Sequence, residues 1–521
     1  MALPNINFVK STSGLGRALD GTDYISAHLH YYATGATLPS GFTSSDRIKK
    51  IFSVADAETL GITNTHLGET AAVAKCVISG TPAAGNTFSI TYTGILGLEY
   101  VITDYTLTAA DAVSATTAAT GIAAAVNAGT QTHGFSATNV VSGSPSANLL
   151  VTTKAGEGVF PNSGTPYASI VRGGGIVGTW TQPTGSGSTV LGVAGWIDTL
   201  YYHISEYFRI QTKGQLYVGL YEEEASTYTF AALTLMQNYS MGEIKQSTVF
   251  QKNVAFSAAQ CAALQAIATA NEAVYKPLQI ILNAEISATG SVATLVDLST
   301  QTAPNVSVCI AQDGANDGYY IYKATNKSVG SCGAMLGAVS LALVSESIAW
   351  VGKFNMALGS ELDTIAFSNG QLYSALADSQ FESLNNYSYT FLRKLTGIAG
   401  SYWSDSRTTV TPTSDYSTIE NNRVYQKITR VVRANMLPAL SSPLKVNADG
   451  TLTNATIGYF ETLANNPLVQ MEADGELSAH KIIINPAQDV LATSTLELTL
   501  QNVPLGVARI IKVNVGFVKS V

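Results

Sequence analysis

Leu278-Gln-Ile-Ile-Leu282 and Val306-Ser-Val-Cys-Ile310 are short, nearly continuous apolar runs. Runs of this length without a polar face mark strands covered on both sides, as in a parallel sheet. Leu216-Tyr-Val-Gly-Leu-Tyr221 reads as a further strand. Helical patterns lie between and after these strands. Residues 257–275 carry Leu264, Ile267, Ala268 and Val274 at helical spacing, and residues 335–344 form a second apolar helix. Strand and helix in alternation predict an α/β layered body in which helices cover a mainly parallel sheet.

Working outward from that body, residues 24–31 and 45–52 predict further strands, and Ser53 to Gly61 a Ser-capped helical turn closed by glycine. Residues 1–20 read as an arm in which Ile6 and Phe8 alternate with polar neighbours. From 74 to 188 the chain turns rich in Thr, Ala, Gly and Ser and nearly lacks basic residues. This stretch predicts a small α+β module looped out of the body, with strands at 75–80, 86–92 and 149–153 and a helix within 109–128. Gly173-Gly-Gly and Pro183 to Ser188 read as its exit linker. The domain reading is an arm at 1–20, a core at 21–73 and 189–394, the insert at 74–188, an α+β domain at 395–504 and a terminal strand at 505–521. The fold class is thus multidomain α/β and α+β.

The 395–504 region contains a charged helix, Asp415-Tyr-Ser-Thr-Ile-Glu420-Asn-Asn-Arg423-Val-Tyr-Gln-Lys427-Ile-Thr-Arg430-Val-Val-Arg433. Arg423, Lys427 and Arg430 fall at i, i+4 and i+7 and share one stripe, beside an apolar stripe of Val424, Ile428 and Val431. The basic stripe reads either as a solvated face or as the side that meets an acidic partner. The last strand, Arg509-Ile-Ile-Lys-Val-Asn-Val-Gly-Phe-Val518, puts Ile511, Val513, Val515 and Phe517 on one face. Such a strand needs a sheet edge, which another subunit could supply.

At 521 residues the chain exceeds what one core organises. Its charged fraction of 12% is about half the usual share, which points to surface covered by other subunits. A net charge of -8 argues against general affinity for nucleic acid. Cys76, Cys261, Cys309 and Cys332 form no C-x-x-C pair and read as free thiols of a chain made in a reducing cytoplasm. The first residues, Met1-Ala-Leu-Pro-Asn-Ile-Asn7, lack the basic region and apolar run of a signal peptide, and the uncharged run 328–345 reads as a closely packed buried helix, so neither export nor membrane insertion is expected.

No catalytic signature stands out. Gly173, Gly175 and Gly178 match G-x-G-x-x-G, but Thr179-Trp-Thr-Gln-Pro183 cannot open the helix that would hold a pyrophosphate. His28 and His30 share a strand face and read as surface residues without a third metal ligand. Asp313-Gly-Ala-Asn-Asp317-Gly lacks the distant glutamate of a calcium loop and reads as a turn. Glu222-Glu223-Glu224 reads as a solvated loop or a docking patch for a basic neighbour. Neither an enzyme nor a cofactor or metal site is expected.

Gly397-Ile-Ala-Gly-Ser-Tyr-Trp-Ser-Asp-Ser-Arg-Thr408, the charged helix, the ending from Asn502 to Gly516, the helical turn at Ser53 and Gly14-Leu-Gly-Arg17 occur in the order found in contractile-tail sheath proteins. The chain resembles that family, in particular its DUF2586 group, along nearly its whole length outside the insert. The resemblance implies hexameric rings stacked around an inner tube, contraction that drives the tube through an envelope, and baseplate and cap proteins at the ends. It places the C-terminal domain against the tube, with Arg423, Lys427 and Arg430 facing it, and the insert outward. It makes Ile6, Phe8, Ile511, Val513, Val515 and Phe517 intersubunit strand residues. The particle would be a phage tail, tailocin or injection system assembled in a bacterial cytoplasm. A tube or baseplate component and a surface adhesin are the alternatives.

Overall fold

The computed structural model describes residues 21–141, 147–224, 228–251, 254–287, 291–357, 359 and 361–517. The chain divides into two compact units, one of 25–342 and 348–419 and the other of 1–24, 343–347 and 420–521. Ile6 and Phe8 lie outside the described residues.

The first unit is built on a seven-stranded sheet. Its order is Tyr389–Thr390, Val306–Cys309, Gln279–Asn283, Gln246–Phe250, Ile25–Tyr32, Gln215–Glu222 and Ile48–Ile51. All neighbours run parallel except the last, Ile48–Ile51, which is antiparallel. The apolar runs at 278–282 and 306–310 are therefore inner strands, each with every side chain buried. The helices Ile197–Ile210 and Cys332–Leu341 share a core cluster with this sheet. Their approach depends on glycine: a Cβ at Gly333 would lie 2.3 Å from the His203 carbonyl oxygen.

The strand Ile25–Tyr32 is buried on both faces, which overturns the surface reading of His28 and His30. It is central in a parallel sheet, so neither face meets water. His28 Nδ1 lies 2.7 Å from Thr248 Oγ1, and His28 Nε2 lies 3.3 Å from His30 Nδ1. Because the Thr248 hydroxyl donates to the Ala27 carbonyl, the bonding pattern assigns His28 Nδ1 as donor and Nε2 as acceptor. Burial holds the His28 imidazole down at about 3, so it is neutral.

Residues 73–181 contain two antiparallel sheets and a core of their own. One sheet is ordered Ser136–Val141, Ala147–Thr152, Val73–Gly80, Ile176–Thr181, and the other Glu99–Thr106, Thr87–Thr93, Tyr167–Arg172. The helix Ala115–Ala128 starts at a Ser114–Thr117 capping box and buries Ala118, Ala119, Ile122 and Val126 against them. Gly173-Gly174-Gly175 is not part of an exit linker: all three take positive φ in the turn between Tyr167–Arg172 and Ile176–Thr181. The module is fastened below its sheets by Glu69, whose carboxylate accepts the Gly156 and Gly158 N–H groups at 2.7 and 2.9 Å.

In the second unit the helix Asn454–Ala473 packs Ala464, Leu468 and Met471 against Val424, Ile428, Val431 and Val432 of the helix Ile419–Met436. The hairpin Ala479–Ile483 and Thr499–Val503 adds Ile482 and Leu500 to this core. His480 ties the hairpin to the helix through Glu472 at 2.6 Å and Asn465 at 2.9 Å. No described helix is long and apolar enough to cross a membrane.

Candidate assembly site

The second unit carries the basic stripe and the described residues of the terminal strand that the sequence singles out. The helix Ile419–Met436 has two stripes, as its spacing predicts. Val424, Ile428 and Val431 face the unit's core. Two members of the charged stripe are buried too, Arg423 at 3% and Lys427 at 6% exposed, and Arg430 is partly buried. Lys427 Nζ reaches Glu476 at 2.7 Å and Asp23 Oδ2 at 2.9 Å. Arg430 Nη2 donates to Asp23 Oδ1 over 2.6 Å. Arg423 donates from Nη1 to the Leu343 carbonyl at 3.2 Å and from Nη2 to the Asp23 carbonyl at 3.4 Å. The acidic surface that these three cations meet in the structure belongs to their own chain.

Electrostatics in the network are unequal. Burial pushes the Asp23 carboxyl up, but Arg430 and Lys427 outweigh it and hold its pKa below the usual carboxylate range. Burial raises Glu476, and Lys427 only partly offsets it. Burial lowers the Arg423 guanidinium to about 10, so it stays charged at neutral pH. Asp23, Glu476 and the further partners Glu420 and Arg509 were not singled out by the sequence. Glu420 could have been, since 420, 423, 427 and 430 continue one stripe. Asp23 has no comparable signal.

The terminal segment departs from its predicted form. Residues 504–517 form no strand, because no sheet edge among the described residues pairs with them. Ile511, Val513, Val515 and Phe517 are all at least three-quarters exposed. Val518 lies outside the described residues. Just before the segment, the hairpin Ala479–Ile483 and Thr499–Val503 is a two-stranded sheet with both outer edges open among the described residues. The segment is rooted by Arg509, whose Nη2 donates to the buried Glu420 carboxylate at 2.5 Å.

The remaining motifs serve the fold. Asp313 accepts N–H groups from Ala315, Asn316, Tyr319 and Leu362, and so closes the turn into the helix Asp317–Thr325. Glu224 accepts the Thr229 N–H. All four cysteines are buried free thiols. Among the described residues, no three His, Cys, Asp or Glu side chains are grouped so as to hold a metal ion.

The DUF2586 N-terminal domain model matches residues 97–407 and the DUF2586 C-terminal domain model matches 415–521. The chain belongs to the DUF2586 family. No curated protein sequence matches this DUF2586 chain. Among solved structures it is similar to a chain of the anti-feeding prophage baseplate, at 14% identity and TM-score 0.42, over 61% of this chain and 80% of that one. It is also similar to the contracted sheath complex of the PVC extracellular contractile injection system, at 14% identity and TM-score 0.42, over 62% and 81%. The sheath tail protein of Listeria innocua is similar at 10% identity and TM-score 0.38, over 92% of the DUF2586 chain and 94% of its own.

Proposed function

We propose that the chain is a subunit of a contractile tail sheath, assembled as stacked hexameric rings around an inner tube. The observation that carries this reading is the segment 509–517. It presents alternating Ile511, Val513, Val515 and Phe517 to solvent, a few residues after a two-stranded hairpin whose outer edges are open among the described residues. An alternating apolar segment without a sheet and a sheet without outer strands complement one another between copies. Family membership and the order of the sheath-like motifs along the sequence support the same reading.

In this reading the segment adds a strand to the hairpin of a neighbouring subunit, and residues 1–20, with Ile6 and Phe8, do the same at another contact. Each backbone bond of such a strand contributes roughly 0.5–1.5 kcal/mol net. Each large apolar side chain buried adds on the order of 1.5–3 kcal/mol as an upper figure. The mesh then holds while weaker contacts between the bodies rearrange on contraction. The extended lattice is kinetically trapped and is released from a baseplate end. The module at 74–188 faces outward and the C-terminal domain faces the tube.

Direct contact of Arg423, Lys427 and Arg430 with the tube would require Asp23 and Glu476 to yield them. The proposed role of these cations is to brace the tube-side domain from within.

Negative-stain microscopy of the purified full-length chain and of a chain truncated after Pro504 tests the reading. Hollow cylinders that vanish on truncation are expected. Cylinders that survive truncation would remove the strand mechanism, and monomers from both chains would remove the sheath assignment.

A further inference from the structure

The chain enters and leaves the module at 73–181 through a short two-stranded stem, in which Thr70 pairs with Val193 and Val73 with Val190. Two strands alone hold an orientation weakly. Residues 66–69 form a turn beside the stem, closed by the Glu69 N–H on the His66 carbonyl at 3.0 Å. His66 faces the body. Its backbone N–H and its Nδ1 donate to the two Asp198 carboxylate oxygens at 3.1 and 2.9 Å, and Asp198 stands in the first turn of the helix Ile197–Ile210. Glu69 faces the module, through the Gly156 and Gly158 N–H groups. The gripped loop also meets the body where the Val159 N–H donates to the Ala324 carbonyl at 2.8 Å. On its module side it is fixed by the buried Glu157, which accepts the Tyr92 hydroxyl at 2.9 Å. We propose that Asp198, His66 and Glu69 form a latch that fixes the module on the body, and that the charge on His66 sets its strength. The latch is a property of the single chain and stands apart from the sheath reading.

The turn is under strain that Asp198 maintains: His66 has a φ of +58°, a left-handed conformation uncommon for a histidine. Its Nε2 faces Gly156, where a Cβ would lie 2.8 Å from it and 3.0 Å from the Tyr320 hydroxyl. The cleft between these groups holds about 20 Å³, room for one water molecule and no larger ligand. The groups therefore act on one another. Asp198 and Glu69 are the acidic neighbours of His66, and Lys154 is the cation that reaches it from the module. Tyr320, from the helix Asp317–Thr325, stays a neutral phenol because burial raises its pKa. The bond to Asp198 raises the His66 pKa above its ordinary value; burial opposes the rise, the charges of Asp198 and Glu69 add to it, and Lys154 opposes it. A raised folded pKa gives a contribution that is complete below the unfolded value near 6.5 and is lost as pH rises through the folded value. Neutral His66 keeps its Nδ1–H bond to Asp198 but not the charge that strengthens it. The latch is thus closed in mild acid and loosens in mild base.

Hydrogen–deuterium exchange of the full-length protein tests the proposal, read as protection factors at about pH 5.5 and about pH 8.5, on either side of the histidine range. Wild type is compared with His66→Asn, which tolerates positive φ but does not titrate, and with Glu69→Gln. Wild-type protection at 156–159 is expected to fall several-fold from the acid to the basic condition. His66→Asn is expected to show the lower value in both. Glu69→Gln is expected to lower protection at 156–159 about tenfold, the effect of weakening one charge-assisted contact, and to remove the pH dependence there. The module strand Ala147–Thr152 and the body strand Gln215–Glu222 should keep their protection throughout. Wild-type protection at 156–159 that does not change with pH would overturn the latch, as would a wild-type pH dependence that persists in His66→Asn. An equal loss in Ala147–Thr152 would also overturn it, because the module itself would then be opening. Should Glu69→Gln fail to fold, the comparison of wild type with His66→Asn decides.

Discussion

Arg430 donates to Asp23 over 2.6 Å, joining residues 407 positions apart in the chain. The contact turns a helix stripe that reads as an outward-facing basic surface into the interior of a charge network. Its members are short of water and depend on one another, so single changes there should be costly.

Asp23→Asn is expected to lower stability by roughly 3 kcal/mol, because it leaves Arg430 and Lys427 largely buried with Glu476 as the remaining carboxylate nearby. A urea titration at pH 7 checks this through a lowered midpoint at unchanged slope. The effect depends on pH. The Asp23 pKa is depressed in the fold, so its contribution is complete above the unfolded value near 3.9 and is lost as pH falls through the folded value. Asp23→Asn and wild type should therefore converge in acid.

The buried His28 supplies a second acid sensitivity with a different window. Its folded pKa of about 3 lies below the unfolded value near 6.5, so the unfolded chain binds the extra proton between them. Stability is complete above 6.5 and falls toward pH 3, by at most about 5 kcal/mol. His28→Asn keeps a donor toward Thr248 but does not titrate, and it should flatten stability against pH in that range. An unchanged acid limb in this variant would mean that other groups carry it.

Ile511→Asp combined with Val515→Asp should change the stability of the isolated chain by less than about 0.5 kcal/mol, since both side chains are exposed. The same pair should abolish assembly, because it places two charges on the face proposed to be buried. Sedimentation velocity with a parallel urea titration separates the two effects.

Gly333→Ala should be destabilising by about 1–3 kcal/mol or more, since its Cβ would stand 2.3 Å from a backbone oxygen that has little room to move. Ala338→Gly in the same helix should cost only about 1 kcal/mol from helix propensity, plus the loss of one buried methyl group. Thermal unfolding distinguishes them.

Much of this molecule is local and legible in its sequence. The runs 278–282 and 306–310 are nearly all apolar because an inner parallel strand meets side chains on both faces, and their length and composition record that directly. Val424, Ile428 and Val431 announce a helix and its core face because helical geometry alone brings them together. Ile511 to Phe517 alternate, but alternation states only what a segment needs, and the chain itself holds no sheet edge for it among the described residues. Tertiary structure decided the rest. His28 and His30 look half exposed until strands on both sides of Ile25–Tyr32 place that strand at the centre of the sheet. Gly173 to Gly175 look like a linker until the strands they join are seen to belong to the module. The partners of Arg423, Lys427 and Arg430 depend on where Asp23 and Glu476 arrive. Charge attraction is set by distance in space, and no periodicity of a helix encodes the position of a residue four hundred places away.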